Sequence, residues 1–110
     1  MTHKGPSEER WFGLSLMEQL ANVGCDIDRA IRWKNKDNIV YSDDALSRAF
    51  NLLFLTIKDP KNRKRLKEVV RIKELLIDYF MDKNVYFSTD EMWHKYFLDY
   101  NYMAALEKGR

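Results

Sequence analysis

The sequence predicts an all-α protein in which four helices form an up-and-down antiparallel bundle. Four stretches of the chain place apolar residues at the three- and four-residue spacing of helix faces. The segments between them are short and polar, and short connections favour antiparallel neighbouring helices. No convincing pair of strands is present, because the apolar run at 39–41 is too short to be assigned as one.

Length and composition indicate one domain. A chain of 110 residues is long enough for a single core, and 45% of its residues are hydrophobic. We expect residues 1–6 to form a flexible arm and residues 7–110 to form the bundle. The net charge of +2 gives the whole molecule no field that would attract nucleic acid or a membrane. No apolar run approaches the ~18 residues of a membrane span, so we expect a cytoplasmic protein.

The first helix is predicted from a start signal at Ser7 and a helical pattern over residues 11–34. Gly13 and Gly24 lie inside this pattern, and a glycine in a helix interior costs about 1 kcal/mol relative to alanine. We therefore expect both glycines to allow the close approach of a neighbouring helix. The alternative is a break at residues 23–24, although the apolar stripe keeps its phase across them.

The second helix is predicted to begin at Ser42, whose side chain is a good N-cap, and to end near residue 57. Its residues are apolar almost all round. A helix with so little polar surface is expected to lie at the centre of the bundle or in an interface between subunits.

The third helix is predicted over residues 59–80 as one long helix that ends at the polar segment 82–84. Asp59 is a suitable N-cap, and Pro60 occupies the first helical position, where proline is tolerated.

The last helix is predicted to begin at a capping box, in which Ser88 and Glu91 each reach a free backbone amide. It should end near Glu107, with Gly109 as its C-cap. It carries a row of aromatic residues at helical spacing, namely Trp93, Tyr96, Phe97 and Tyr100. Such a row is more typical of a core or an interface than of a stacking platform for bases. Outside this row, candidates for an exposed aromatic partner surface are Tyr86, Phe87, Tyr102, Trp11, Phe12 and Trp33.

The start of the third helix is strongly basic, since residues 58–73 contain eight Lys and Arg residues and two carboxylates. Positive charge in the first turn of a helix opposes the helix dipole, and a phosphate or an acidic partner would compensate it. The candidate phosphate or nucleic-acid contacts are Lys61, Arg63, Lys64, Arg65, Lys67 and Arg71. The other interpretation is a solvated face whose charges are balanced by the acidic last helix.

The sequence predicts no metal site and no cofactor. Glu91 and His94 have the Glu-x-x-His spacing of a di-iron bundle, but such a site needs a second copy of the motif. His94 is the only histidine outside the N-terminal arm. Cys25 is the only cysteine, and we expect it to be a small buried residue rather than a nucleophile.

Arg48 is one of the few polar residues of the second helix, and we expect it to form a buried ion pair with a carboxylate such as Asp78 or Glu18. An active-site arginine is the alternative, but it would lack a nucleophile or base to work with. Catalytic residues are not predicted, because the sequence contains no P-loop, dinucleotide-binding glycine motif, serine elbow or zinc spacing.

Four segments of the chain, residues 16–24, 29–34, 59–68 and 88–91, carry a resemblance to known proteins. Over residues 12–105 the chain resembles a group of small, uncharacterised bacterial and archaeal all-helical proteins, which implies a helical fold but no activity, substrate or catalytic residue. In size and helix count it also resembles HEPN-like bundles. The nucleases of that group carry Arg, then four to six residues, then His. No arginine here stands in that relation to His94, so the resemblance does not imply RNA cleavage.

These observations favour a non-catalytic helical interaction module that forms a homodimer, or binds a protein partner, through the second or the last helix. The motivating feature is more apolar helix surface than a bundle of this size need bury alone. The alternative is a bundle that binds nucleic acid or nucleotide phosphate through residues 58–73. An enzyme is the third class, and a pocket in which Arg48, Asp78 and tyrosines converge would favour it.

Overall fold

The computed structural model describes residues 6–109, and over this range the chain is all-α with no strand, as predicted. The predicted N-terminal arm lies, apart from Pro6, outside the described residues. The helices are α1 (Glu8–Phe12), α2 (Leu16–Asn35), α3 (Ile39–Lys58), a 3₁₀ helix (Pro60–Arg65), α4 (Leu66–Met81) and α5 (Asp90–Lys108). None of them combines the length and the apolar composition that crossing a membrane requires.

Two helices, α1 and α2, cover the first part of the described residues, so the prediction of one helix over residues 11–34 is wrong. Ser7 caps α1 as predicted, by accepting a hydrogen bond from an amide of the first turn. A stronger start signal then follows at Ser15. The Ser15 hydroxyl accepts from the Glu18 amide at 3.1 Å, and the Glu18 carboxylate accepts from the Ser15 amide at 3.0 Å. This capping box begins α2, and Gly13 therefore lies in the turn after α1 rather than inside a helix.

α2 packs against α3 along one side and against α5 along another. At Gly24 the backbone of α2 approaches α5 so closely that an added Cβ would lie 2.5 Å from the Cβ of Phe97. The role predicted for Gly24 is confirmed, and α2 continues through residues 23–24 without a break.

Hydrogen bonds at both ends show that α2 and α5 are antiparallel. Asp90, the first residue of α5, accepts from Asn35 at the end of α2 at 3.1 Å. Ser15, the cap of α2, donates to Glu107 near the end of α5 at 2.6 Å.

α3 begins four residues earlier than predicted, because Asn38 rather than Ser42 is its cap. The Asn38 side chain accepts from the Tyr41 amide at 3.1 Å. Ser42 is buried within the helix, and its hydroxyl donates to the carbonyl oxygen of Ala30 on α2 at 2.7 Å. α3 lies between α2 and α4 and also contacts α1, which is the central position that its apolar composition predicts.

The predicted long third helix is two elements. Asp59 is the N-cap, as predicted, but the basic residues that follow form a 3₁₀ helix before α4 begins. The Asn62 side chain donates to the carbonyl oxygen of Thr56 at the end of α3, which fixes the first turn of this segment against α3. α4 ends at Met81, before the polar segment that was expected to end it.

α5 is capped by Thr89, whose hydroxyl accepts from the Met92 amide at 3.1 Å, so the predicted capping box at Ser88 and Glu91 is wrong. Ser88 is buried instead, and its amide donates to Asn84. Gly109 is the C-cap, as predicted.

The hydrophobic core lies between α2, α3, α4 and α5. The buried members on α5 are Trp93, Phe97, Tyr100 and Ala104, and Tyr96 packs against them. The interpretation of the aromatic row as core is therefore confirmed.

Candidate functional site

A cluster of buried polar side chains joins α1, α2, α3 and the 3₁₀ helix. Its members are at most 3% exposed and comprise Trp11, Gln19, Thr56, Asp59 and Asn62. Gln19 Nε2 donates to Asp59 Oδ2 at 2.8 Å, and Gln19 Oε1 accepts from Asn62 Nδ2 at 2.8 Å. Trp11 Nε1 donates to Thr56 Oγ1 at 3.0 Å. Because these groups are bonded to one another, the cluster fixes the start of the basic segment and offers no free polar group to a ligand.

Two of the six predicted phosphate contacts are already paired. The Lys61 ammonium contacts the buried Asp59 carboxylate and donates to the carbonyl oxygen of Phe12 at 3.0 Å. Arg65 donates to Glu68 at 2.7 Å.

The other four predicted contacts are exposed. Arg71 lies over the ring of Tyr86, with 5.0 Å between the guanidinium carbon and the ring centroid. Within residues 6–109, Arg63, Lys64 and Lys67 form no ion pair. These three cations are the part of the basic segment that remains available to an anion.

α5 does not supply the counter-charges of the basic segment. The ion pairs of this segment with described residues lead to Glu8, Asp59 and Glu68, which lie on α1 or in the segment itself. Asp90 of α5 pairs with Lys34 of α2. The interpretation that the acidic last helix balances these charges is therefore wrong.

A cavity of about 330 Å³ lies between α4 and α5. Its lining is mainly apolar and consists of Ile72, Leu75, Met92, Trp93 and Tyr96, together with Glu68, Arg71 and Ser88. Trp93 is 6% exposed, and its Nε1 is buried without a hydrogen-bond partner among the described residues. A cavity with an apolar lining and few polar groups is the usual form of a binding site.

A chain of hydrogen bonds includes two residues that line this cavity, Glu68 and Tyr96. Tyr100 donates to Glu68 Oε2 at 2.6 Å, and the hydroxyl oxygens of Tyr96 and Tyr100 are 3.1 Å apart. Arg65 donates to the other oxygen of Glu68. The carboxylate is thus held from two sides.

The pKa values of Glu68 and Tyr100 are both shifted from their ordinary values in the direction away from neutral pH. The hydrogen bond from Tyr100 holds the pKa of the Glu68 carboxyl below its usual range, against the opposing effect of burial. Burial raises the pKa of Tyr100 far above its usual range, and the bond to Glu68 adds to the shift. Glu68 is therefore ionised and Tyr100 protonated at neutral pH. Since general acid–base catalysis works best with a pKa near the working pH, the arrangement suits binding rather than proton transfer.

Arg48 forms an ion pair with a carboxylate, as predicted, but the partner is Asp26 and not Asp78 or Glu18. Arg48 Nε lies 3.4 Å from Asp26 Oδ1 on α2, and Arg29 contacts the same oxygen at 3.1 Å. The Arg48 side chain is 37% exposed, so the pair is only partly buried. Arg48 and Asp78 have different partners, so this structure does not supply the convergence of the two that would favour the enzyme alternative.

Asp78 is buried and organises the loop between α4 and α5. Its two carboxylate oxygens accept from the amides of Val85 and Tyr86 at 2.8 and 3.1 Å. This role could not be predicted from the sequence, because a carboxylate that binds backbone amides needs no charged partner residue.

The predicted exposed aromatic surface is confirmed at some positions and wrong at others. Tyr86, Phe87 and Tyr102 are 54%, 83% and 66% exposed. Trp11 is buried in the polar cluster described above, and its indole is bonded to Thr56. Cys25, expected to be buried, is exposed on α2.

His94 lies in an open groove of about 960 Å³ between α2 and α5. Its Nδ1 is 3.3 Å from the Asp28 carboxylate. Among residues 6–109, no three His, Cys, Asp or Glu side chains are grouped so that they could hold a metal ion. Although Asp28 lies beside His94, Glu91 and His94 are thus not part of a group of three potential ligands among the described residues.

The chain matches no protein-family model, no curated protein and no solved structure in comparisons with each. The resemblance to small helical proteins and to HEPN-like bundles therefore stays a prediction.

Proposed function

We propose that the protein is a helical interaction module that self-associates through the exposed side of α5. Five large apolar residues of this helix are 48–66% exposed, namely Met92, Leu98, Tyr102, Met103 and Leu106. This observation carries the proposal, because α5 also buries an aromatic row on its other side, so that large apolar residues occur on both its buried and its exposed side, with charged residues between them. Such a helix is stable when a partner covers its outer side.

The partner is a second copy of this chain. A closed two-fold dimer places the same patch of both subunits in contact, so an apolar patch can cover itself. The proposed subunit is an up-and-down bundle of the four long helices, since α5 is antiparallel to α2 and the connections are short. A cytoplasmic location stays a prediction.

Sedimentation equilibrium over a range of protein concentrations tests this proposal. The wild type should be a dimer at micromolar concentration, and the double variant Leu98→Glu/Tyr102→Glu should be a monomer, because two charges cannot be buried unpaired in an apolar interface. Phe54→Glu is the control, since Phe54 is 60% exposed on α3, outside the proposed surface. A wild type that stays monomeric at these concentrations contradicts the proposal.

A second candidate function is phosphate or nucleic-acid binding by the basic segment. The exposed, unpaired state of Arg63, Lys64 and Lys67 among the described residues favours it. Fluorescence anisotropy with labelled RNA and duplex DNA should then show binding that weakens steeply with salt, because each phosphate contact releases a counterion.

Charge-matched triple variants make this test specific. Replacement of Arg63, Lys64 and Lys67 by glutamine should abolish the binding. The control replaces Lys36, Lys83 and Lys95 by glutamine, since these lysines are exposed outside the basic segment. This control variant should retain most of the nucleic-acid binding. Equal losses in both variants, or no binding at low salt, would exclude this second function.

A further inference from the structure

The loop between α4 and α5 is held in one conformation by side chains at both of its ends. Asp78 binds the amides of Val85 and Tyr86, as described above. Asn84 donates to the carbonyl oxygen of Ser88 at 3.0 Å and accepts from the Ser88 amide at 2.8 Å. The loop is therefore bonded to α4 at one end and closed on itself at the other.

Phe87 is presented by this loop in an unusual state. Its φ is 55°, in the left-handed region that non-glycine residues rarely adopt, and its side chain is 83% exposed. A bulky residue in this region is strained, and an apolar ring in water gives up the benefit of burial. Strained residues that their surroundings hold in place are concentrated at binding and switch sites.

The cavity between α4 and α5 lies directly beside Phe87, because the next residue, Ser88, forms part of its lining. A cavity of about 150 Å³ already accommodates benzene in a protein core, and this one has about 330 Å³. Its apolar lining includes Leu75, Met92 and Trp93. The cavity is therefore large enough and apolar enough to receive a phenyl ring.

We propose that Phe87 of one chain inserts into the α4–α5 cavity of a second copy, and that the partner returns the same contact. The inference rests on the proposed self-association and assigns its central contact. Two-fold symmetry requires such reciprocity, and a projection that lies beside its own cavity brings both contacts close to one axis. An aromatic side chain that fills a pocket near the centre of an interface is the usual form of a binding hot spot.

The chemistry of the cavity fits an aromatic ring. The indole of Trp93 forms part of the lining, and aromatic rings pack favourably against one another. Arg71, in the same lining, already lies over the ring of Tyr86. A guanidinium beside the cavity can attract the face of a second ring.

The test is sedimentation equilibrium of Phe87→Ala. The dissociation constant of the dimer should rise about 30-fold or more, as for loss of a hot-spot aromatic. Phe54→Ala removes another exposed phenylalanine. This variant should keep the dissociation constant within about threefold of the wild-type value, as expected for a residue outside the interface. Since Phe87 is exposed and strained, its replacement should not reduce stability, and urea unfolding checks this.

A second variant tests the cavity itself. Met92 lines the cavity and is 55% exposed, so Met92→Trp should fill the space without disturbing the core and should weaken the dimer as Phe87→Ala does. A mixture of the two variants retains one complete contact, formed by the phenylalanine of one chain and the open cavity of the other. The mixture should therefore associate more tightly than either variant alone.

The outcomes separate the two proposals. A monomeric wild type overturns both. A dimeric wild type whose association is equally strong in Phe87→Ala and Phe54→Ala overturns the cavity contact and leaves the α5 interface standing. Native mass spectrometry that detects a small apolar molecule retained by the wild type and lost in Met92→Trp would assign the cavity to that ligand, and this also overturns the inference.

Discussion

Asp59 is a buried carboxylate that connects the end of α3 to the basic segment. Burial alone would raise its pKa, but hydrogen bonds from Lys61 and Gln19 outweigh this effect and hold the pKa below its ordinary value of 3.8. Because the pKa is lower in the folded state, the group stabilises the fold fully above pH 3.8. This contribution is lost as the pH falls through the folded-state pKa.

We expect Asp59→Asn to reduce the free energy of unfolding by about 1–3 kcal/mol at neutral pH. The amide nitrogen of asparagine would face two donors, Lys61 and Gln19. The difference from wild type should shrink below pH 3.8, where the wild-type carboxyl is itself becoming protonated. Urea unfolding at neutral pH and below pH 3.8 measures this difference in the free energy of unfolding. Asp99→Asn, at an exposed position, is the control, and a difference that does not change with pH would contradict the assignment.

Tyr100 controls the ionisation of Glu68 at the wall of the cavity. Tyr100→Phe keeps the ring and removes the hydroxyl that is the main cause of the low pKa of Glu68. The pKa of Glu68 should therefore rise towards its ordinary value of 4.5. Carbon-detected NMR titration of the Glu68 carboxyl measures it, with Tyr102→Phe, an exposed tyrosine, as the control. An unchanged Glu68 pKa in Tyr100→Phe would show that the hydrogen bond has no such effect.

At the scale of the helices, the contact between α2 and α5 depends on the absence of a side chain at Gly24. The missing Cβ would lie 2.5 Å from the Cβ of Phe97, a position that cannot rotate away. Gly24→Ala should therefore reduce the free energy of unfolding by about 1–3 kcal/mol, as for an overpacked core.

Gly13→Ala is the matched control for this packing contact. A Cβ at Gly13 would meet nothing nearer than the carbonyl oxygen of Arg10, at 3.3 Å, and its backbone φ of −74° suits any residue. Thermal or urea unfolding should show a clearly smaller loss for this variant. If Gly24→Ala were no more destabilising than Gly13→Ala, α2 and α5 would not be packed as closely as described.

The presence of the long helices and their buried faces were more predictable than the residues at which the helices begin and end. Apolar spacing fixes the faces of α2, α3, α4 and α5, but several side chains near each end can serve as a cap. At the start of α3, Asn38 and Ser42 both suit the role, and the outcome depends on Ser42 finding the carbonyl oxygen of Ala30 on another helix. A contact of that kind has no local signal in the sequence.

The basic segment is a second case in which a distant contact determines the local structure. Asp59 and Pro60 correctly predict a helix start, but the tighter 3₁₀ turn depends on bonds from Asn62 to Gln19 and Thr56. Gln19 lies 43 positions away in the sequence from Asn62. The one available hint was a long polar side chain, Gln19, on the apolar face of a helix, since buried polar groups require partners.

At the scale of the whole molecule, the sequence predicts the core and much of the exposed apolar surface. The candidate site was only partly predictable. The cavity depends on the distance between α4 and α5, and the exposure of Phe87 depends on the buried Asp78. Neither the cavity nor this exposure can be predicted from the spacing of residues in the sequence. Arg71, which was predicted as a phosphate contact, also forms part of the lining of an apolar cavity.

In the proposed dimer, the exposed apolar side of α5 and the loop before it form the interface between two copies of the chain. The most direct measurement is a dilution series of ¹⁵N-labelled protein followed by amide chemical shifts. We predict concentration-dependent shifts over residues 84–106, largest at Phe87, Ser88 and Met92, with little change over residues 60–67. Spectra that do not change with concentration, or changes confined to the basic segment, would contradict the account.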